Sequence, residues 1–268
     1  MIELHSKGGS AGHAGGKAQT GTTWKQHFSF SLFFLFLAGS SISPLAAQTP
    51  SPSPAIPQAN PRVTWPDTFV SRLKIWALIE TLNAELLAAD SATLTLDKWC
   101  RDHQLAPGAQ ILARRTDTEQ KPLTPQQRND LRIGTEEPVA YRRVALHCGD
   151  LVLSEAENWY VPSRLTPAMN EALEQTDSAF GRVVRPLAPQ RHTFSARILW
   201  HPLPDGWEMA MPENPVQAAP RPADPPVPPL EIPAHLLEHR ALLSTSEHQP
   251  FSLVIETYTS GILSFRSR

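Results

Sequence analysis

Two charged side chains lie on strand-like segments that are otherwise apolar. In YRRVALHC, alternation places Arg142 on the same face as Val144 and Leu146. In FSLVIETYT, it places Glu256 on the same face as Val254. A guanidinium or a carboxylate in an apolar environment is costly without a partner. Arg142 could bind the carboxylate of a ligand in bidentate fashion, and Glu256 could accept or donate a proton at the other end of that ligand.

The same two positions also allow a structural interpretation. Arg142 and Glu256 would then pair with each other and stabilise the sheet, or both would face solvent. Arg182 is the best candidate for a second cation at a site. The arginines that we expect to be solvated are Arg185, Arg191 and Arg197.

The composition limits the classes of function. The chain has 268 residues, 24 basic and 26 acidic side chains and a formal net charge of −2, so nothing favours nucleic acid or an anionic membrane as a partner. It contains no glycine-rich phosphate loop, and His235 and His239 lack a third ligand at metal spacing. We therefore predict a protein without a metal or another cofactor. We also expect a monomer.

The chain has two cysteines, Cys100 and Cys148, which excludes a scaffold built on disulfides. In an exported protein the two thiols would be oxidised if they lay close together. The sequence does not give their separation, so a bridge and two free thiols both stay open.

The N-terminal segment has the layout of a secretory signal peptide. The apolar run from Phe28 to Leu37 follows Lys25 and is too short to cross a bilayer, and small residues follow it. We predict cleavage after Ala47, so that residues 1–47 are removed and no stable membrane span is left. The protein would then be periplasmic or secreted. An uncleaved signal anchor and a misassigned start codon, which would make the protein cytoplasmic, are the alternatives.

Proline marks the predicted boundaries of the mature chain. Residues 48–62 form a proline-rich linker. A folded domain follows over residues 63–268. A second proline-rich stretch, at about 209–232, interrupts this domain and is expected to be disordered or polyproline II.

The periodicity within the domain predicts helices first and antiparallel strands afterwards. PDTFVSRLKIWALIETLNAELLA predicts an amphipathic helix with a break near Asn83, and Thr93 and Thr95 should delay the helix that follows. A hairpin turns at Gly149, and Thr166 caps a short helix. The last two apolar segments pair as strands around SEHQ. The pattern is typical of an α+β domain.

Four short motifs carry a resemblance. They are DSAT at 90–93, YRRVALHCGD followed by AENWYVP, then FGRVVRPL, and finally VIETY. In this order and spacing they resemble the chorismate pyruvate-lyase family, over roughly residues 67–264 without the proline-rich insert. The resemblance implies an α+β fold in which helices pack on an antiparallel sheet of about six strands and a ligand is enclosed beside that sheet.

The resemblance also implies a reaction and a set of site residues. Family members cleave chorismate to 4-hydroxybenzoate and pyruvate without a metal or an organic cofactor. The family arginine that holds the aromatic carboxylate falls on Arg142. The glutamate that meets the other end of the ring falls on Glu256. The glycine–arginine pair of the middle motif falls on Gly181 and Arg182.

Two positions depart from the family pattern. Asn158 stands where the second strand of the hairpin carries an arginine, which puts chorismate, a dicarboxylate, in question. Ala92 replaces a larger apolar residue over the ligand and would widen the pocket. Export also conflicts with chorismate, which is made in the cytosol. Because the wider fold serves as a sensor module in bacterial regulators, the alternative function is non-catalytic binding of a small aromatic or cyclic carboxylic acid.

Overall fold

The computed structural model describes residues 62, 64–106, 108–116, 119–209 and 226–265. The predicted signal peptide, nearly all of the predicted linker and most of the predicted insert lie outside the described residues.

Six antiparallel strands form one sheet with the order β1-β2-β3-β6-β5-β4. The strands are β1 Ile111–Arg115, β2 Ala140–Cys148, β3 Leu151–Tyr160, β4 Gln190–Ile198, β5 His235–Ser244 and β6 Pro250–Thr259. The sheet is therefore two three-stranded meanders joined by the pairing of β3 with β6. This architecture confirms the predicted α+β class with an antiparallel sheet of about six strands.

Five α-helices accompany the sheet within the described ranges: α1 Phe69–Leu87, α2 Ala92–Asp102, α3 Pro125–Asp130, α4 Pro167–Gln175 and α5 Phe180–Val183. No helix in these ranges combines the length and the apolar character needed to cross a bilayer. The apolar sides of α1 and α2 pack on one face of the sheet, here called the inner face, with Ile79 and Leu96 completely buried. A smaller cluster around Trp159 covers part of the opposite face.

Capping explains where the helices begin. The Thr166 hydroxyl accepts a hydrogen bond from the Met169 amide and caps the start of α4, as predicted. Ser91 does the same for the Leu94 amide, so α2 starts at Ala92 and the delay expected from its threonines is wrong. The break expected in α1 near Asn83 is also wrong, because the helix continues to Leu87.

Residues 226–232 are the described end of the insert that the sequence predicts to be disordered or polyproline II, and they pair with the start of the folded domain. The Asp67 amide donates to the Pro228 carbonyl at 2.8 Å, and the Leu230 amide donates to the Trp65 carbonyl at 2.7 Å. The Leu230 side chain is buried. This stretch therefore belongs to the folded domain.

A disulfide joins Cys100 of α2 to Cys148 at the end of β2. Both half-cystines are completely buried. The bridge decides between the two alternatives that the sequence leaves open for these residues. It also fixes α2 to the strand that carries Arg142.

Candidate functional site

A cavity of about 40 Å³ lies between the inner face of the sheet and the ends of two helices. On the sheet side it is lined by Arg142 of β2, Asn158 of β3 and Glu256 of β6. Aliphatic residues such as Val144 also line this side. On the helix side it is lined by the start of α2 and by Phe180 and Gly181 of α5. One charged residue of β4, Arg191, completes the wall.

The cavity brings together most of the residues predicted from the sequence. Arg142, Glu256, Asn158, Gly181 and Ala92 all line it. They come from β2, β6, β3, α5 and α2, so the sheet register and the helix packing assemble them from distant parts of the chain. Asn158 lies directly opposite Arg142 in the pairing of β2 with β3.

Arg182 lies elsewhere. Its Nη2 atom is 2.6 Å from Oδ2 of Asp97 in α2, and its Nη1 atom donates to the Ile111 carbonyl at 3.1 Å. It is not among the described residues that line the cavity. The contacts of Arg182 therefore tie α5 to α2 and β1.

Arg142 is a buried cation with no carboxylate partner within the described part of the chain. It is 4 % exposed. Its Nη2 atom donates to the carbonyls of Ser178 at 3.1 Å and Thr176 at 3.4 Å. Its Nε and Nη1 atoms are buried and have no hydrogen-bond partner among the described residues. Burial, followed by the positive charge of Arg115, lowers the pKa of Arg142 to about 10.

Glu256 pairs with Arg191 instead of Arg142. Nη2 of Arg191 is 2.6 Å from Oε2 of Glu256, and the Tyr258 hydroxyl donates to the same oxygen at 3.1 Å. The two side chains are only 3 % and 8 % exposed. Burial is the largest single effect on the pKa of Arg191 and acts to lower it, but the charge of Glu256, the Tyr258 phenol and the hydrogen bond to Glu256 together raise the pKa. The structural alternative in which Arg142 pairs with Glu256 is therefore wrong, and so is the expected solvation of Arg191.

Sequence reasoning missed Arg191 because β4 has no apolar stripe. Its residues alternate between exposed and half-buried for most of its length, as is usual for the edge of a sheet. The available signal was the alternation itself, which puts Arg191 and Thr193 on one face. The Arg191 Nε atom donates to the Thr193 hydroxyl at 3.3 Å.

A hydrogen bond orients the Asn158 amide. The hydroxyl of Ser252 in β6 donates to Oδ1 of Asn158 at 2.6 Å, and both residues are buried. The Nδ2 atom of Asn158 is buried without a hydrogen-bond partner among the described residues. The wall of the cavity near Arg142 therefore contains a further unsatisfied N–H donor.

A buried histidine lies beside Glu256. His239 of β5 pairs with Glu256 in the sheet register and is completely buried. Its Nε2 atom is 2.9 Å from Oδ1 of Asn83 in α1. Burial is the main cause that lowers the pKa of His239 to about 4, against the opposing effect of Glu256. His239 is therefore neutral at physiological pH.

Gly181 allows α5 to approach the start of α2 closely. A Cβ atom at this position would lie 2.6 Å from the Ser91 hydroxyl and 3.0 Å from that of Thr93. Both hydroxyl-bearing residues line the cavity together with Ala92. The glycine therefore sets the distance between the two helices that close the cavity. Within the described ranges, no three His, Cys, Asp or Glu side chains are grouped so as to hold a metal ion.

Solved structures with a related arrangement are only weakly similar. PhnF from Mycobacterium smegmatis is 9% identical with a TM-score of 0.39, covering 66% of this chain and 67% of PhnF. Its effector domain is 10% identical with a TM-score of 0.38, covering 63% and 88%. YydK from Bacillus subtilis subsp. subtilis str. 168, described as a possible transcriptional regulator, is 14% identical with a TM-score of 0.34, covering 60% and 62%, so this chain spans less than two thirds of YydK. At these TM-scores, the structural similarity does not support any functional assignment.

No protein-family model matches the chain. A much closer similarity links it to the uncharacterized protein y4mC of Sinorhizobium fredii (strain NBRC 101917 / NGR234). The two are 48% identical over 202 residues, which cover 75% of this chain and 81% of y4mC. The chain belongs to the same protein family as y4mC.

Proposed function

We propose that this protein binds a small molecule through a carboxylate group that pairs with Arg142 in the cavity. The observation that carries the proposal is the state of this side chain, which is 4 % exposed while its Nε and Nη1 atoms lack partners among the described residues. A buried, incompletely paired cation is costly to the fold. A carboxylate with two oxygens would satisfy the planar guanidinium in bidentate fashion.

The size of the cavity bears on the ligand. A volume of about 40 Å³ corresponds to about three water molecules, at roughly 10–15 Å³ for each. A compact acid of a few atoms matches this volume directly. An aromatic acid would need the helix side of the cavity, α5 and the start of α2, to move outward. The proposal therefore includes both compact acids and aromatic acids. The affinity of the protein for one class relative to the other measures how readily α5 and the start of α2 move outward.

The second candidate function is elimination of pyruvate from chorismate or a related cyclic acid. It is favoured by one observation, namely that Arg142 and Glu256 line the same cavity. The reaction would need a proton-transfer group near the leaving oxygen. Glu256 is engaged with Arg191 and Tyr258, and its ion pair requires the carboxylate form. The geometry supports binding better than it supports catalysis.

Calorimetric titration of the purified protein with acetate, pyruvate and 4-hydroxybenzoate tests the proposal. We expect Arg142→Ala to lose about 2–5 kcal/mol of binding free energy, the range for breaking a desolvated charge pair. Arg143→Ala is the matched control, since the neighbouring side chain is 40% exposed and pairs with Glu155 at 3.5 Å. If no carboxylate binds, or if Arg142→Ala binds as the wild type does, the proposal is wrong.

Incubation with chorismate separates the two candidates. Binding of 4-hydroxybenzoate without release of pyruvate supports the binding function. Pyruvate formation that is lost in both Arg142→Ala and Glu256→Gln would establish the lyase instead. Because Glu256→Gln removes the charge that pairs with Arg191, its melting temperature must be measured alongside.

We also propose that the protein acts outside the cytosol. The buried Cys100–Cys148 bridge supports an oxidising compartment, where such bonds persist. The predicted signal peptide over residues 1–47 points the same way. Cell fractionation and N-terminal sequencing test the proposal: a mature chain starting near Gln48 in the exported fraction is expected. A cytosolic product that starts at Met1 contradicts it.

A further inference from the structure

We infer that the cavity selects monocarboxylates over dicarboxylates, and that Asn158, held by Ser252, determines this specificity. The inference rests on the proposed function and identifies the class of acid that the site accepts. It assigns Asn158 to direct contact with the ligand and Ser252 to positioning the Asn158 amide.

The N–H donors that lack partners lie on adjacent strands. Arg142 and Asn158 are directly opposite in the pairing of β2 with β3, and residues in that relation have Cβ atoms about 5 Å apart. Both line the cavity and each is 4 % exposed. Within the described residues, Nε and Nη1 of Arg142 and Nδ2 of Asn158 have no hydrogen-bond partner. A carboxylate placed between the two side chains would accept hydrogen bonds from both.

The direction of the Asn158 amide is set from the neighbouring strand. Because the Ser252 hydroxyl donates to Oδ1 at 2.6 Å, the oxygen of the amide is occupied and the N–H₂ group is left as the donor. Ser252 is completely buried, so water does not compete for this hydrogen bond. The hydrogen bond from Ser252 therefore keeps the neutral N–H₂ group of Asn158 directed at the cavity beside the Arg142 guanidinium. Without this hydrogen bond, the amide could rotate and direct its oxygen there instead.

The buried charges that line the cavity leave one cation available, which can pair with one anionic group of a ligand. Arg142 and Arg191 are cations and Glu256 is an anion, and all three side chains line the cavity. Arg191 and Glu256 neutralise each other at 2.6 Å, which leaves Arg142 as the unpaired charge among these three buried groups. Asp90, a fourth charged residue of the lining, is exposed to solvent and adds a negative charge. A second ligand carboxylate near Glu256 would meet a like charge, and the cation beside Glu256 in the described part of the chain, Arg191, is already paired with it. Asn158 adds a hydrogen bond without adding charge.

Two matched pairs of probes test the selectivity of the wild-type protein at pH 7.5. Acetate is compared with malonate, which has one added carboxylate, and 4-hydroxybenzoate with terephthalate, in which a carboxylate replaces the hydroxyl group. We expect the monocarboxylate that binds to do so at least tenfold more tightly than its partner, about 1.4 kcal/mol. Equal or tighter binding of the dicarboxylate overturns the inference but leaves the proposed function standing. Failure of all four probes overturns the proposed function, and the inference with it.

Variants of the two residues test their separate roles. Asn158→Asp replaces the donor with an anion, and we expect monocarboxylate affinity to fall at least tenfold, the loss typical of a hydrogen bond to a charged group. Ser252→Ala should weaken binding several-fold and narrow the difference between mono- and dicarboxylates, because the amide is no longer fixed. Ser154→Ala is the matched control, since Ser154 is also completely buried in the sheet but its hydroxyl donates to the Glu155 carbonyl at 3.5 Å and not to Asn158.

Thermal melting decides whether each variant is folded before its affinity is interpreted. If Asn158→Asp does not fold, Ser252→Ala still tests the inference, because it removes only a hydroxyl group. A folded Ser252→Ala that keeps both the affinity and the selectivity of the wild type contradicts the positioning role. A folded Asn158→Asp that binds monocarboxylates as the wild type does contradicts the role of Asn158.

Discussion

Arg191 and Glu256 form a buried ion pair across an intervening strand. Their nearest atoms, Nη2 and Oε2, are 2.6 Å apart. Arg191 belongs to β4 and Glu256 to β6, with β5 between the two strands in the sheet. The pair therefore fixes three strands relative to one another at the wall of the cavity.

Breaking this pair from one side should be strongly destabilising. We expect Glu256→Gln to lower the free energy of unfolding by about 3–5 kcal/mol, because the Arg191 cation is left buried and uncompensated. The double variant Arg191→Met/Glu256→Leu should cost less than the sum of the single variants. Urea denaturation measures Glu256→Gln, the double variant and its two single variants, Arg191→Met and Glu256→Leu. The exposed pair Arg143–Glu155 is the control, and its loss should cost no more than about 1 kcal/mol.

Gly181→Ala should destabilise the protein and weaken carboxylate binding. The added methyl group would lie 2.6 Å from the Ser91 hydroxyl, so either that hydroxyl must rotate away from the Leu94 amide that it caps, or α5 and the start of α2 must separate. We expect a loss of about 1–3 kcal/mol, as for other overpacked sites. Gly134→Ala is the control, since a methyl group there meets nothing within 4 Å. A Gly181→Ala variant with wild-type stability and affinity would show that the approach of the two helices is unimportant.

The Cys100–Cys148 bridge should resist reduction until the protein unfolds. Both half-cystines are completely buried, so dithiothreitol alone should leave them oxidised, and alkylation with mass spectrometry should detect no free thiol. The double variant Cys100→Ala/Cys148→Ala should lose about 2–5 kcal/mol of stability. Alkylation of the native protein after mild reduction would contradict the expected protection.

Acid should destabilise the protein through His239. Its pKa is about 4 in the fold and about 6.5 when unfolded, so the unfolded chain binds more protons between these values. Stability from this group is fully present above pH 6.5 and is lost as pH falls toward 4, with a total of about 3 kcal/mol. Chemical denaturation at a series of pH values measures it. His239→Gln should flatten this part of the profile, whereas substitution of the exposed His192 should not.

Periodicity was sufficient to find the residues on β2 and β6. Each strand has a regular apolar face, so a charge on that face is conspicuous, and Arg142 and Glu256 are both buried as alternation predicts. The hairpin is also predictable, because a glycine between two strand-like segments favours a turn. Gly149 adopts a positive φ of 59° at this turn. The pairing of Asn158 with Arg142 then follows from the register.

The partners of these residues depend on tertiary structure that local patterns do not encode. Arg191 reaches Glu256 across β5, which pairs with both β4 and β6, and β4 itself has no apolar stripe. The segment FGRV looks strand-like in its apolar content, yet it forms the short helix α5. The short distance between α5 and α2 depends on Ser91 and Thr93, which lie next to Gly181 in the fold. A glycine in the sequence does not indicate which residues will be its neighbours. The dimensions of the cavity follow from these contacts.

The division of the sheet into two meanders has a consequence for how the protein folds. Strands β1 to β3 and strands β4 to β6 each pair with neighbours in the chain, whereas β3 and β6 meet across about a hundred residues, as in the register of Ala156 with Glu256. Contacts of such separation carry a high closure entropy and form slowly. The Ser252–Asn158 hydrogen bond crosses this seam. We therefore expect the anion site to be unformed in the folding transition state, so that a bound carboxylate slows unfolding without speeding folding.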